Sequence, residues 1–181
     1  SNIIAKAFLM VTPSADIAIQ NGGGVRTDVA AGEVTFAEAV NVLPFANTLV
    51  TMELSGAQIK AVLEDALENA LRTGGSTGAY PYASGLRYHV NASLTKGSRV
   101  SNVEVNARVA GSWAAINDAT TYTVVTNDFI ASGQDGYTTF GTEYKAGNFV
   151  NTFTLYTQGF IDYIKGLAGQ GQALQKMPIS E

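Results

Sequence analysis

The chain contains no cysteine and one histidine among 181 residues. No disulfide framework, zinc ribbon or thiol nucleophile can therefore be built. A two-metal hydrolase centre gathers several His, Asp and Glu ligands, and a single histidine argues against one within this chain. Charged residues are also scarce, at 14% against the usual ~25%. The net charge of −4 opposes a general nucleic-acid polymer binder, which carries a basic surface. No apolar run approaches the ~20 residues of a membrane span. No basic segment followed by a long apolar stretch marks a signal peptide.

What is present suits a folded domain. Hydrophobic residues make up 46%, which excludes a disordered chain. A chain of this size buries roughly 70% of its extended surface, enough for a real core. Ser1-Asn2 opens directly into an apolar helical pattern, and that abrupt start suggests a piece cut from a longer protein.

The pattern of residues predicts a mixed order of elements. A short buried helix is expected over residues 3–11 and a buried strand over 15–20. Thr35 with Glu38 and Ser55 with Gln58 have capping-box spacing. They announce a helix over 36–42 and a longer one ending near Gly74-Gly75, with apolar residues at helical spacing from Ile59 to Leu71. Strands are expected over 47–54, 86–91, 99–105 and 121–126. Residues 74–84 and 127–137 read as loops. A last helix is expected over 158–168, followed by a frayed tail from Gly169. Such an order predicts an α+β fold, a single domain with a mixed sheet and packed helices.

Three places could carry chemistry. Asn21-Gly22-Gly23-Gly24-Val25-Arg26 follows a strand. Backbone N–H groups in such a turn can cradle an anion, and Arg26 offers a planar fork of donors. Three glycines in a row demand unusual backbone angles or very close approach by another group. Neither a Rossmann fingerprint nor a P-loop is met. Phe45, in Leu43-Pro44-Phe45-Ala46-Asn47, could be a stacking platform, although spacing alone favours a core side chain. Phe129 and Asp135 lie in a glycine-containing loop. An aromatic face with a carboxylate suits a nucleoside, the ring stacking on the base and the carboxylate accepting from ribose hydroxyls. Taken alone, that loop is better explained by an Asp capping its own turn.

The remaining polar residues have plainer readings. His89 is expected to be a surface or hydrogen-bonded residue, Arg87 to face solvent and Trp113 to pack on the sheet. Residues 96–99 read as a hairpin turn. Glu64, Asp65 and Glu68 look like the solvated face of their helix.

In order along the chain, seven motifs resemble the C-terminal domain of the 5'-nucleotidase family. They are Ala15-Asp16-Ile17-Ala18 leading to Asn21-Gly22-Gly23-Gly24-Val25-Arg26, then Gly32-Glu33-Val34-Thr35, Leu43-Pro44-Phe45-Ala46-Asn47-Thr48-Leu49, Leu54-Ser55-Gly56-Ala57-Gln58, Ser84-Gly85-Leu86-Arg87-Tyr88, Tyr122-Thr123-Val124-Val125-Thr126-Asn127-Asp128-Phe129 and Gly133-Gln134-Asp135-Gly136-Tyr137. The resemblance covers almost the whole chain. It implies a division of labour, in which an N-terminal metallophosphatase domain holding two divalent metal ions hydrolyses what this domain recognises. It implies that Phe45 and Phe129 sandwich a base, that Asp135 binds ribose hydroxyls, that Arg26 reaches toward phosphate, and that Asn21 and Gly23 contact the nucleotide. No catalytic or metal-ligating residue is implied here. It also implies a periplasmic or extracellular setting. Relatives acting on 2',3'-cyclic nucleotides or nucleotide sugars, or a nucleoside-binding module with no catalytic partner, are the competing expectations.

Overall fold

The computed structural model describes residues 1–29, 32–106, 108–109 and 111–175. The first helix, α1 (Asn2–Val11), buries Ile4, Ala5, Ala7, Phe8 and Leu9 along one face. Strand β1 (Ile17–Asn21) follows, and all five of its residues are buried. Burial on both faces explains its continuous apolar run, as for any strand covered on each side. Both capping boxes form: Thr35 caps α2 (Phe36–Val42) with Glu38, and Ser55 caps α3 (Gly56–Leu71) with Gln58. Between those helices runs β2 (Thr48–Ser55).

The chain beyond α3 holds more structure than its sequence suggests. Part of the expected loop over 74–84 is a strand, β3 (Pro81–Ser84). It opens on a proline, which an edge strand tolerates at its first position. Strands β4 (Leu86–Val90), β5 (Val100–Val105) and the two-residue β6 (Ala114–Ala115) form a separate three-stranded sheet. Strand β7 (Thr121–Asn127) leads into α4 (Asp128–Ala131), inside the expected loop over 127–137. Helix α5 (Thr138–Lys145) and strand β8 (Val150–Leu155) were not legible in the sequence. Helix α6 (Tyr156–Gly169) completes the order. Beyond it, where a frayed tail is expected, the chain turns back onto the domain as far as Leu174. Gln172 N–H donates to Leu167 O at 2.9 Å, and Leu174 packs against the core of α1 and α6.

The main sheet has the order β3-β1-β7-β2-β8. Only the β1–β7 pair is parallel; the others are antiparallel. The fold is therefore α+β with a mixed sheet, as expected. Strand alternation sends Ile17, Ile19, Val50, Met52, Leu54 and Val124 to one face, where α3, Tyr137 and Phe140 cover them. Ala18, Leu49 and Val125 point to the other face, under α1, α6 and the end of α2.

Glu64 and Asp65 on α3 are not a solvated face: they are only 6% and 4% exposed. Glu64 accepts from Gly97 N–H at 2.8 Å and Val100 N–H at 2.7 Å, while Asp65 accepts from Lys96 and from Thr139. Glu68 pairs with Arg99 at 2.6 Å. The turn over 91–99 thus docks onto α3 through these acids. Their partners lie about thirty residues or more along the chain, so helical spacing alone could not reveal them.

Candidate functional site

Strand directions gather the candidate residues at one end of the sheet. Because β1 and β7 run parallel, their carboxyl ends, Asn21 and Asn127, emerge together. Antiparallel β2 and β3 start at that same end, where Leu49 pairs with Asn127 and Pro81 with Asn21. Strand β8 finishes there, with Leu155 opposite Thr48. The crevice outside the carboxyl ends of parallel strands is the usual ligand site of open α/β sheets. Here it is a cavity of about 680 Å³.

Asn21, Gly23, Arg26, Phe45, Phe129 and Asp135 all line this cavity. Phe45 is 48% exposed and Phe129 40% exposed, so neither ring is core. Each is held by its backbone. Tyr156, fully buried, accepts from Phe45 N–H at 3.0 Å through its hydroxyl, which also lies 3.4 Å from Gly24 O. Burial pushes the Tyr156 hydroxyl up to about 12, so it keeps its proton across the neutral range. Phe129 rides on α4, whose first turn is capped by Asn127 Oδ1 accepting from Ile130 N–H at 3.0 Å.

The glycine turn owes its composition to close approach. A methyl on Gly24 would stand 2.2 Å from Gln20 Nε2, and one on Gly22 would stand 3.1 Å from the Tyr82 ring. The turn is a single 3₁₀ turn, Gly22–Gly24. Arg26 is exposed, and its guanidinium donates to Gly23 O at 3.1 Å. No carboxylate pairs with it among the described residues, so the rest of its fork is available to an anion.

Asp135 sits at φ +55° between Gly133 at +94° and Gly136 at +81°. Left-handed backbone costs an ordinary side chain roughly 1–2 kcal/mol, less for Asp, and such strain collects at functional sites. Two contacts hold it. Asn69 Nδ2 on α3 donates to Asp135 O at 2.8 Å, and Asn21 Nδ2 donates to Asp135 Oδ2 at 2.7 Å. Asp135 Oδ1 accepts from no described residue.

Several contributors were missed in the sequence. Ser76, Thr77, Gly78, Asn47 and Tyr82 also line the cavity. The run Gly74-Gly75-Ser76-Thr77-Gly78 signalled a turn but not its partner. Gln20 and Asn127 are fully buried polar residues at the strand ends. Asn127 preceding a short apolar run was a legible N-cap. Among the described residues no cluster of three His, Asp or Glu suits a metal ion, and no helix is long and apolar enough to cross a membrane.

Comparison with known proteins accords with this architecture. Residues 1–142 match the family model described as 5'-nucleotidase, C-terminal domain. The NAD 5'-nucleotidase of Haemophilus influenzae is 40% identical over 168 residues, covering 91% of this chain and 28% of that protein. The trifunctional nucleotide phosphoesterase of Bacillus subtilis is also 40% identical, over 90% of this chain and 10% of its own length. Among solved structures, a 5'-nucleotidase precursor from Thermus thermophilus superposes with a TM-score of 0.84 at 34% identity, covering 98% of this chain and 33% of that one. The chain belongs to the 5'-nucleotidase family, as a C-terminal domain. It spans about a third or less of the length of these relatives.

Proposed function

We propose that this domain is the nucleotide-recognition part of a 5'-nucleotidase-type phosphohydrolase. The base lies between Phe45 and Phe129, Asp135 accepts from the ribose hydroxyls, and Arg26 with the glycine turn faces the phosphate. The observation that carries this reading is convergence: two half-exposed Phe rings, a carboxylate on left-handed backbone whose Oδ1 accepts from no described residue, and a guanidinium that no described carboxylate pairs with share one cavity. Its size falls within the ~300–1,000 Å³ of small-molecule sites. Each base–aromatic stack contributes about 1–3 kcal/mol and accepts any base, so recognition should tolerate base identity and depend on the sugar.

Hydrolysis belongs, in this proposal, to a separate N-terminal metallophosphatase domain with two divalent ions. The described residues of this chain do not fit such a centre, and no chemical step is assigned to them. Their part is to bind and orient, and the Arg26–phosphate contact gains strength when a second domain excludes water. The names of the relatives support nucleotide esters as substrates, in a periplasmic or extracellular setting proposed from the family likeness. Calorimetry with adenosine and AMP tests the proposal. Both should bind the chain, and Phe129→Ala should weaken both about tenfold or more. A chain that binds neither, or a variant that binds both as before, overturns it. The chain alone should hydrolyse no AMP with added divalent metal.

A further inference from the structure

The buried amides behind Asp135 form one directed network. Asn127 Nδ2 donates to Gln20 Oε1 at 2.8 Å and to Asn21 Oδ1 at 3.1 Å. Gln20 Nε2 donates to Asn21 O at 3.0 Å and approaches Asn21 Oδ1 at 3.3 Å. With Asn21 Oδ1 accepting from two sides, its Nδ2 is turned toward Asp135, where it donates to Oδ2 at 2.7 Å. All three amides are nearly or fully buried. A reversed amide would set oxygen against oxygen without water, so the orientation is well fixed. The opposite end of Asn127 caps α4, the helix that carries Phe129.

We propose that Asn127 is a positioning residue that couples the base platform to the ribose acceptor. Its oxygen sets the height of Phe129, and its nitrogen, through Asn21, sets the carboxylate of Asp135. Asn21 serves chiefly to aim Asp135, because only one of its side-chain hydrogens is left for a ligand. This inference rests on the nucleoside reading of the cavity. It adds that base and sugar contacts are not independent: they share one side chain.

The two ends of Asn127 can be removed separately. Asn127→Ser keeps an N-cap oxygen and deletes the donor to Gln20 and Asn21. Asn127→Ala deletes both. Binding of adenine and adenosine is followed by nuclear magnetic resonance titration, with amide exchange at Ile130 reporting the cap. In Asn127→Ser, adenosine affinity should fall about tenfold while adenine holds within about twofold and Ile130 stays protected. In Asn127→Ala, both ligands should weaken and Ile130 protection should drop. Equal losses for both ligands in Asn127→Ser, or none, overturn the coupling. If the unaltered chain binds neither ligand, the nucleoside reading fails instead. The network is then decided by the Asn21 side-chain amide signals: resolved and protected in the unaltered chain but averaged in Asn127→Ser supports it, and unchanged signals refute it.

Discussion

Gly23 and Gly78 meet backbone to backbone at the mouth of the cavity. A methyl on Gly23 would stand 3.3 Å from Gly78 Cα, and one on Gly78 would stand 3.2 Å from Gly23 Cα. Neither neighbour is the end of a flexible side chain, so one of the two turns must shift. Gly78→Ala should cost about 1–3 kcal/mol as overpacking and weaken adenosine about tenfold by displacing the glycine turn. Gly166→Ala is the control. Nothing lies within 4 Å of its added methyl, and alanine favours a helix by about 1 kcal/mol. It should raise the melting temperature and leave binding alone. Calorimetry and thermal unfolding on both variants check the pair, and unaltered binding in Gly78→Ala would show that the contact is slack.

The acids of α3 make a stability prediction. Each Glu64 oxygen accepts one backbone N–H of the docked turn. Glu64→Ala should cost about 2–4 kcal/mol, because two donors lose their partner. Glu64→Gln, with one acceptor oxygen, should lose about half as much. Urea midpoints measure both.

Asp65 adds a pH dependence of known sign. Burial raises its carboxyl, but hydrogen bonds from Lys96, Thr139 and Thr138 outweigh that and hold it below its ordinary 3.8. A depressed folded value means that the unfolded chain binds protons first as pH falls. The contribution is therefore full above 3.8 and is lost as pH drops below it through the folded value. Asp65→Asn should flatten the acid limb of a stability-against-pH curve. An unchanged slope would assign acid lability to other groups.

Much of this was legible where local rules suffice. The capping boxes of α2 and α3 were, because Thr35 with Glu38 and Ser55 with Gln58 satisfy each other within one turn. Strand β8 was not, because none of its six residues is buried and no alternation marks it. Strand β3 hid behind Pro81 and takes its place only by pairing with β1. The six candidate site residues were nameable one by one from motifs. Their common cavity was not, since it depends on which strands run parallel. Tyr156 and Asn127 act across distances that no local pattern encodes.

Tyr156 joins the Phe45 loop to the glycine turn through one hydroxyl. Tyr156→Phe keeps the ring in the core and leaves Phe45 N–H without its acceptor. Stability should fall by about 1 kcal/mol, and adenosine affinity several-fold. Because burial keeps the hydroxyl protonated until about 12, binding to the unaltered chain should not vary with this group at neutral pH. A merely structural Tyr156 would lower the melting temperature with no change in affinity.

Asp135 offers the sharpest separation of sugar from base. Asp135→Ala removes the hydroxyl acceptor and puts alanine at φ +55°, where it is strained. Asp135→Asn suits that backbone better, removes the charge and leaves one acceptor oxygen, an NH2 group taking the place of the other. Hydrogen bonds to a charged group contribute about 1.5–3 kcal/mol, and neutral ones about 0.5–1.5. Adenosine should therefore weaken more than tenfold in Asp135→Ala and by less in Asp135→Asn. Free adenine, which has no hydroxyls, should bind both variants as it binds the unaltered chain. Adenine losses as large as those of adenosine would mean that Asp135 supports the loop rather than the ribose.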